Sequence, residues 1–456
     1  MAKVVLINPP SEALGPGNKR MTRVLYPPPP GGLAMIAAAL IADGHQVRAY
    51  DLVVEPLTKR ALVKEVVAWG ADAVGFSVLG PAFYATRELA RAFKKASAKL
   101  LIFAGNAFPS EYPEWFLAAI PEVDAVVVGE GEVSAAALVA AGPGHYVPGV
   151  RYQGQDAAEF RARAQIRDLD ALPFPAWELL PYRKYYASPQ LLFRSQPTLG
   201  VLQSRGCPWK CGYCAQNYLW PSVRKRSIRH VVSEIRRNVL DLGIDHFGFY
   251  DSIFPLKPQY GEELLGEVTR QGLKGRVKMF CETRVDMVWE EPFRLLKEAG
   301  MHLVFLGIET NSEAVLQGQG KVRGETYDAH RAVETLQHVG LRSYGLFVLG
   351  LPEESASDRA AIQSYACSLD LDVASFGIYT RYAGSPAARS DAAIEPESLT
   401  ETNWELDNEL ASAQRNMMRA FYLRPRVVLR HLWRREIKVD RLLHGAWSML
   451  GLERGL

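Results

Sequence analysis

Two long series of short β-branched runs alternating with amphipathic stretches, parted by one proline-rich segment, leave this chain few folds to choose from. Such alternation buries each strand between helices and calls for a parallel sheet. In the first series we place strands at 3–7, 46–50, 73–77, 100–104 and 125–128. Helices at 33–43, 57–69, 83–96 and 113–119 lie between them, and one more follows the last strand. That order predicts a doubly wound, Rossmann-like α/β domain over 1–145. The next stretch, 146–197, holds Pro173, Pro175, Pro181, Pro189 and Pro197 together with Phe174, Trp177, Tyr182, Tyr185 and Tyr186. So many aromatics argue for a connector packed over other domains and against a disordered linker. The second series has strands at 199–203, 246–250, 278–281, 303–307, 343–349 and 373–379, with helices at 228–242, 261–271, 291–299, 325–339 and 355–369. Six units are too few for an eight-fold barrel, so a partial (β/α)6 barrel is expected over 198–395, followed by a helical region over 396–456.

A chain of 456 residues needs more than one core, and 48% hydrophobic with 23% charged residues is the balance of a soluble protein. Charge is unevenly spread. From Ser412 onward there are ten Lys and Arg against three Asp and Glu, which leaves a body with 43 basic and 47 acidic residues. An acidic body offers no broad basic surface, so no nucleic-acid partner is expected. No apolar run reaches the roughly 20 residues that span a bilayer. Nor does the N-terminus carry a secretory pattern before its first strand. Five Cys in so large a chain are no disulfide framework, and a reducing cytoplasm is the expected setting.

Three of those Cys crowd into Ser204-Arg205-Gly206-Cys207-Pro208-Trp209-Lys210-Cys211-Gly212-Tyr213-Cys214, directly after a predicted strand. Thiolates spaced C-x3-C-x2-C on a loop converge on one centre, and soft sulfur selects iron–sulfur clusters or zinc. A structural zinc site wants a fourth ligand, and no Cys or His follows in register. Three ordinary core thiols, or a degenerate zinc knuckle, are the plain alternative.

This segment resembles the signature of radical S-adenosylmethionine enzymes, the aromatic Tyr213 before the last Cys included. The resemblance implies a 4Fe-4S cluster on Cys207, Cys211 and Cys214, with one iron left open to the amino and carboxylate groups of S-adenosylmethionine. It further implies reductive cleavage of that cofactor to a 5′-deoxyadenosyl radical, with an electron donor such as flavodoxin or ferredoxin. The likeness runs along the whole second series. Tyr250-Asp251-Ser252 ends its second strand, where the family sets polar groups against the methionine part, so Asp251 is a candidate contact. Glu282-Thr283-Arg284-Val285-Asp286 follows the third strand and offers Arg284. Phe305-Leu306-Gly307-Ile308-Glu309-Thr310 is similar to the segment whose Glu touches the ribose, which is Glu309 here. Phe347-Val348-Leu349-Gly350-Leu351-Pro352-Glu353 resembles the motif that backs the adenine through Gly350. Each has a plainer reading: Glu309 as a solvated acid, Arg284 as an ion-pair partner of Asp286, Gly350 as a strand stop. Two departures stand out, Leu346 where a Gly is common and Ala383-Gly384-Ser385-Pro386 in place of the usual sixth-strand turn.

The first 140 or so residues are similar to the cobalamin-binding domain that precedes the barrel in a large subfamily. The stretches are Asn8-Pro9-Pro10, Pro28-Pro29-Pro30-Gly31-Gly32-Leu33, Asp43-Gly44-His45, Gly75-Phe76-Ser77, Ala104-Gly105-Asn106 and Gly129-Glu130-Gly131-Glu132. Small residues at strand ends let a large ligand approach the backbone. By resemblance Pro9, Gly31, Ser77, Gly105, Asn106, Gly129 and Glu130 would contact cobalamin, with Ser77, Gly105 and Gly129 along its nucleotide tail. The D-x-H-x-x-G motif that ligates cobalt from below is missing. His45 follows Asp43, but Arg48 stands where Gly is needed, and His45 reads instead as a charge at a helix C-terminus.

The segment 421–435 mixes aromatics with spaced Arg, from Phe421-Tyr422-Leu423-Arg424-Pro425-Arg426 onward. It suits peripheral contact with an anionic membrane or, equally, packing on the barrel. Its opening is similar to tails of subfamily members acting on hopanoids, other lipids and porphyrin esters, which implies a small, hydrophobic substrate. Cys281 and Cys367 are expected to be structural thiols. The expected activity is cobalamin-dependent radical methyl transfer to an unactivated carbon of a lipid-like or secondary-metabolite substrate. A radical cyclase or rearrangement enzyme without methyl transfer is the second reading, and a non-catalytic iron–sulfur sensor the third.

Overall fold

Five of the first six strands run parallel, because the chain returns through at least one helix between each of them and the next. They are β1 (Lys3–Asn8), β2 (Gln46–Asp51), β3 (Ala73–Ser77), β4 (Leu101–Gly105), β5 (Ala125–Val127) and β6 (Val150–Tyr152), in the order β2-β1-β3-β4-β5-β6. β6 is the exception: it adds antiparallel to β5, Val127 opposite Val150. It lies in the stretch expected to be connector, so the first sheet extends past the expected boundary at residue 145. A three-residue edge strand has too little pattern to stand out in sequence. In this computed structural model the described residues are 1–10, 28–142, 145–162, 165–185, 196–321, 327–390, 395–399 and 408–433. Tyr186 and Pro189 of the connector lie outside them.

The helices start and stop where their residues dictate. Thr58 caps the helix Lys59–Trp69 by accepting from Ala61 N at 3.2 Å, and Gly70 ends it in the left-handed region at φ 72°. A cap of this kind contributes about 1 kcal/mol.

The second sheet takes β7 (Thr198–Val201), then the two-residue hairpin strands β8 (Ser204–Arg205) and β9 (Arg224–Lys225) stand apart from it. It continues with β10 (His246–Phe249), β11 (Lys278–Arg284), β12 (Met301–Glu309), β13 (Arg342–Leu349) and β14 (Val373–Ile378). The order β14-β13-β12-β11-β10-β7 is wholly parallel, a six-stranded partial barrel as expected. Met279, Cys281, Val304 and Leu306 face the helices in one core with Leu264, Phe293 and Leu336. Phe280, Leu303, Tyr344 and Val373 form a separate cluster on the opposite, inner face, with Phe305 and Leu346 against it.

β14 is an edge, and the helix Asn408–Tyr422 covers it. Tyr422 Oη accepts from Ala374 N at 3.2 Å and donates to Ala374 O at 2.7 Å, while Gln414 Nε2 donates to Phe376 O at 2.6 Å. Side chains thus satisfy backbone groups that another strand would otherwise seek. In the helix Pro425–Trp433, Arg426 and Arg430 both pair with Asp370, so these basic residues are neutralised on the barrel. Leu429 and Trp433 remain exposed. Arg434 and Arg435, which carry part of the basic run, lie outside the described residues. Among the described residues no helix is long and apolar enough to cross a membrane.

Candidate cofactor site

The cysteine loop is held from its first residue. β7 runs into Gln203 and Ser204, whose backbone N–H groups both donate to the buried carboxylate of Asp251, as does Ser204 Oγ at 2.6 Å. Burial pushes that carboxyl up to about 6, against the pull of these donors. Asp251 therefore supports the root of the loop, and Tyr250 is the residue of this strand end that stands beside Phe280 on the inner face, ring centroids 5.9 Å apart. Gly206 follows at φ 88°, where a Cβ would lie 2.4 Å from Ser222 O. Only glycine fits.

Cys207, Cys211 and Cys214 are half-buried, and all three are free thiols. Burial raises each above the ordinary thiol range, Cys214 to about 11, and Cys207 and Cys214 also feel the charge of their neighbours in the trio. Arg284 and Lys321 pull Cys207 and Cys211 the other way. Among the described residues no three His, Cys, Asp or Glu converge on a point fit for a single ion. Three thiols spread along one loop suit a cluster, whose ligands sit on separate corners. The donor set fits.

Behind the loop, the turn after β12 packs against it. Gly212 N donates to Gln319 O at 2.8 Å, and a Cβ on Gly212 would meet Gln319 Oε1 at 3.1 Å. Lys321, fully enclosed, pairs with Glu309 and donates to Gly307 O at 2.8 Å. Tyr213 Oη donates to Glu309 Oε1 at 2.9 Å, so the aromatic residue of the cysteine motif is tied to the end of β12. Glu309 itself takes φ 60°, a strained choice for a non-glycine residue. Arg284 grips Asp286 through two bonds of 2.9 Å and lies over the Trp209 ring of the cysteine loop, 4.6 Å from its centre. The ion pair with Asp286 is thus present, and the same guanidinium lies beside the cysteine loop. Gly350 has φ 79° and faces Leu410 of the C-terminal helix, which would stand 2.7 Å from a Cβ added there.

Glu282 stands in the motif that offers Arg284, but nothing in its spacing sets it apart from a surface acid. Its side chain is reached by water, yet burial pushes the carboxyl up to about 7, with Glu309 adding to the rise and Lys321 opposing it. Two residues after Phe280 along β11, Glu282 shares the inner face of the barrel. Cys214 feels its charge, which puts it on the side of the thiols.

In the first domain the strand ends surround a cavity of about 250 Å³. Ser77, Gly105, Asn106, Gly129 and Glu130 all line it; Pro9 and Gly31 do not. Pro9 is buried at the end of β1, and Gly31 faces Trp177 of the connector. Asn106 sits at φ 87°, caps the next helix through Ala107 N at 2.7 Å and donates to Ser77 Oγ at 3.0 Å. Small residues at these strand ends leave the backbone open to a ligand. A larger open groove, about 750 Å³, lies at the other ends of β4 and β5 beside Lys94, His145 and Tyr146. It is remote from the thiols, and Lys94 there is committed to Asp124.

From the barrel side, Leu202, Arg205 and Trp220 close the 250 Å³ cavity. Arg205 pairs with Glu130 at 2.8 Å and with Glu132, and Arg224 takes the second oxygen of Glu130 at 2.8 Å. Burial works against the Arg205 charge, but the two carboxylates outweigh it and hold the group above its usual range. Despite its own burial, Glu130 is held low by both arginines. Its carboxylate is thus committed to the junction between domains. Further out, Arg389 binds Glu111 through bonds of 2.8 and 2.7 Å. The carboxyl ends of both sheets therefore meet across one interior.

A family model of the B12 binding domain matches residues 18–139, and one of the radical SAM superfamily matches 201–366. An uncharacterized methyltransferase of Pyrococcus horikoshii is 28% identical over 94% of this chain and 95% of its own length. The anaerobic magnesium-protoporphyrin IX monomethyl ester cyclase of Synechocystis is 26% identical over 79% and 71%. The hopanoid C-3 methylase of Methylococcus capsulatus is 30% identical over 65% and 56%. Among solved structures, the radical S-adenosylmethionine methyltransferase TsrM of Kitasatospora setae superposes with a TM-score of 0.66 at 18% identity, covering 85% of this chain and 74% of that one. That likeness bears on the fold. Taken with the thiol loop and the facing cavity, these matches show that the chain belongs to the radical SAM enzymes that carry an N-terminal B12-binding domain.

Proposed function

We propose that this chain is a cobalamin-dependent radical SAM methyltransferase that moves a methyl group to an unactivated carbon of a small, largely apolar molecule. The observation that carries the reading is continuity: Arg205, which walls the cavity of the first domain, stands two residues before Cys207 of the thiol loop. Cys207, Cys211 and Cys214 would hold the cluster, and Ser77, Gly105, Asn106 and Gly129 the cobalamin tail. When bound, these groups and S-adenosylmethionine supply a carbon radical and a methyl carrier. The chain's own part is orientation and exclusion of water. Tyr213, Glu309 and Lys321 fix the loop against β12, while Arg284 lies over it with a charge balanced by Asp286. Gly350 remains the candidate for backing the adenine, and Asp251 supports the loop from below. Tyr250, Phe280, Phe305 and Leu346 give the inner face an apolar lining, which favours a hydrophobic or flat substrate.

Relatives named as ester cyclases, 26% identical over most of this chain, favour a second reading, in which the radical closes a ring and no methyl moves. Anaerobic incubation of the corrinoid-loaded protein with S-adenosylmethionine and a strong reductant separates the two. A methyltransferase yields S-adenosylhomocysteine matching the bound corrinoid, together with 5′-deoxyadenosine. A cyclase yields 5′-deoxyadenosine and no S-adenosylhomocysteine. Neither product would leave only an iron–sulfur scaffold. Electron delivery by flavodoxin or ferredoxin belongs to the same proposal. Peripheral membrane contact would rest on exposed Leu429 and Trp433, since Arg426 and Arg430 are already paired.

A further inference from the structure

We propose that Arg205 is a positioning residue that couples the corrinoid cavity to the cysteine loop, so that filling either site strengthens binding at the other. The inference rests on the assignment of both cofactors made under Proposed function. Arg205 belongs to both sites at once. Its side chain closes the cavity with Leu202 and Trp220, the guanidinium standing 5.9 Å from the Trp220 ring. Its backbone lies in β8, opposite Arg224 of β9, and passes through Gly206 straight into Cys207. Little slack remains in that link. Gly206 sits at φ 88° with Ser222 O 2.4 Å and Trp220 O 3.0 Å from where a Cβ would be.

The first domain holds the guanidinium at three points. Glu130 accepts at 2.8 Å, Glu132 accepts from the other terminal nitrogen, and Met35 Sδ stands 3.4 Å away. All three belong to the cavity wall. Glu130 and Glu132 flank Gly131, whose missing Cβ would lie 2.9 Å from Ile36 of the helix that carries Met35. Arg205 is 4% exposed and both carboxylate side chains 7%, so the group has no water to rearrange into. A planar fork held on two carboxylates passes on displacement that a flexible ammonium would absorb. A corrinoid bears on this wall as it enters, and a cluster fixed on the loop bears on it from the other end, so both bias the same arrangement of Arg205. Thermodynamic linkage makes the effect reciprocal.

The test measures hydroxocobalamin affinity of the full chain by absorbance under anaerobic conditions, without and with a reconstituted cluster. Wild type is expected to bind about 5-fold or more tightly when the cluster is present, the lower end of common coupling factors. In Arg205→Lys the ratio falls to near one, and Glu132→Gln gives the same collapse should Arg205→Lys fail to fold. Arg389→Met cuts a pair between the domains away from the cavity and keeps the wild-type ratio. A wild-type ratio of one overturns the proposal. So does an unchanged ratio in Arg205→Lys or Glu132→Gln, or an equal collapse in Arg389→Met, which would assign the coupling to domain docking in general. Failure of every form to bind hydroxocobalamin overturns the cobalamin reading and this proposal together, and is distinct from binding without coupling.

Discussion

Around the thiols the chain places charge: Lys321 against Glu309, Arg284 against Asp286, and a Tyr213 hydroxyl on Glu309. Around the cavity of the first domain it places glycines and apolar side chains, Gly105, Gly129 and Gly131 beside Leu33, Phe76 and Phe103. The acids on that wall, Glu130 and Glu132, are taken up by arginines. The first region is a constellation of groups in fixed relation. The second is a shape left by small residues. They meet at Arg205, which is polar and enclosed like the first and lines the second. The two regions should therefore fail differently. Removing a charged partner in the loop leaves another group buried and unpaired, whereas adding atoms to the cavity leaves every bond intact and blocks the ligand.

The largest expected effect is on the thiols. Cys211→Ser should bring cluster iron close to zero and lower 5′-deoxyadenosine formation by at least about 100-fold, more than losing a group that merely supports a metal ligand costs. Its corrinoid affinity should fall only to the level of cluster-free wild type. On the cavity side, Gly105→Val adds a side chain whose Cβ starts 3.3 Å from Val127 O. Corrinoid retention should drop about tenfold or more while iron content holds, with an overpacking cost of about 1–3 kcal/mol read by thermal unfolding. Were iron lost as well, the two regions would not be separable as described.

Lys321→Met probes the charged region from within. It leaves the Glu309 carboxylate, whose side chain is 10% exposed, with the Tyr213 hydroxyl but without its Lys partner, and should cost about 3–5 kcal/mol of stability by chemical denaturation. The double variant with Glu309→Gln should recover most of that loss, because no unpaired charge is left behind. The smallest effect concerns Glu282. Its carboxyl is pushed up to about 7 in the folded chain from an ordinary value of 4.5, so the folded state holds the proton more tightly. The stability this contributes is complete below about 4.5 and is lost as pH rises to about 7. Glu282→Gln should therefore gain on wild type across that window and melt about 1–2 °C higher at pH 8, a figure discounted for the water that reaches the group. Equal melting differences at pH 5 and pH 8 would contradict the raised carboxyl.

Much of this is legible in the sequence, for physical reasons that differ by residue. Strand and helix order follows from periodicity, and all eleven expected strands overlap observed ones. Cys207, Cys211 and Cys214 announce themselves by spacing. Lys321 does not, because its meaning depends on a turn after β12 folding back onto the loop, a contact between residues 12 apart from Glu309 that has no periodic signature. Arg205 stands within the cysteine segment, yet its partners Glu130 and Glu132 are more than 70 residues away. Asp251 and Glu130 show the converse: the motif locates them, but whether a carboxylate faces a ligand, a backbone amide or an arginine depends on packing. β6 escapes notice because three residues carry too little alternation.

The reading stands or falls on metal and corrinoid content, measured with electron paramagnetic resonance on one anaerobic preparation. About four irons per chain are expected, with a reduced-cluster signal that changes on adding S-adenosylmethionine and cobalamin bound beside it. Zinc in place of iron, or a cluster signal indifferent to S-adenosylmethionine, would contradict it.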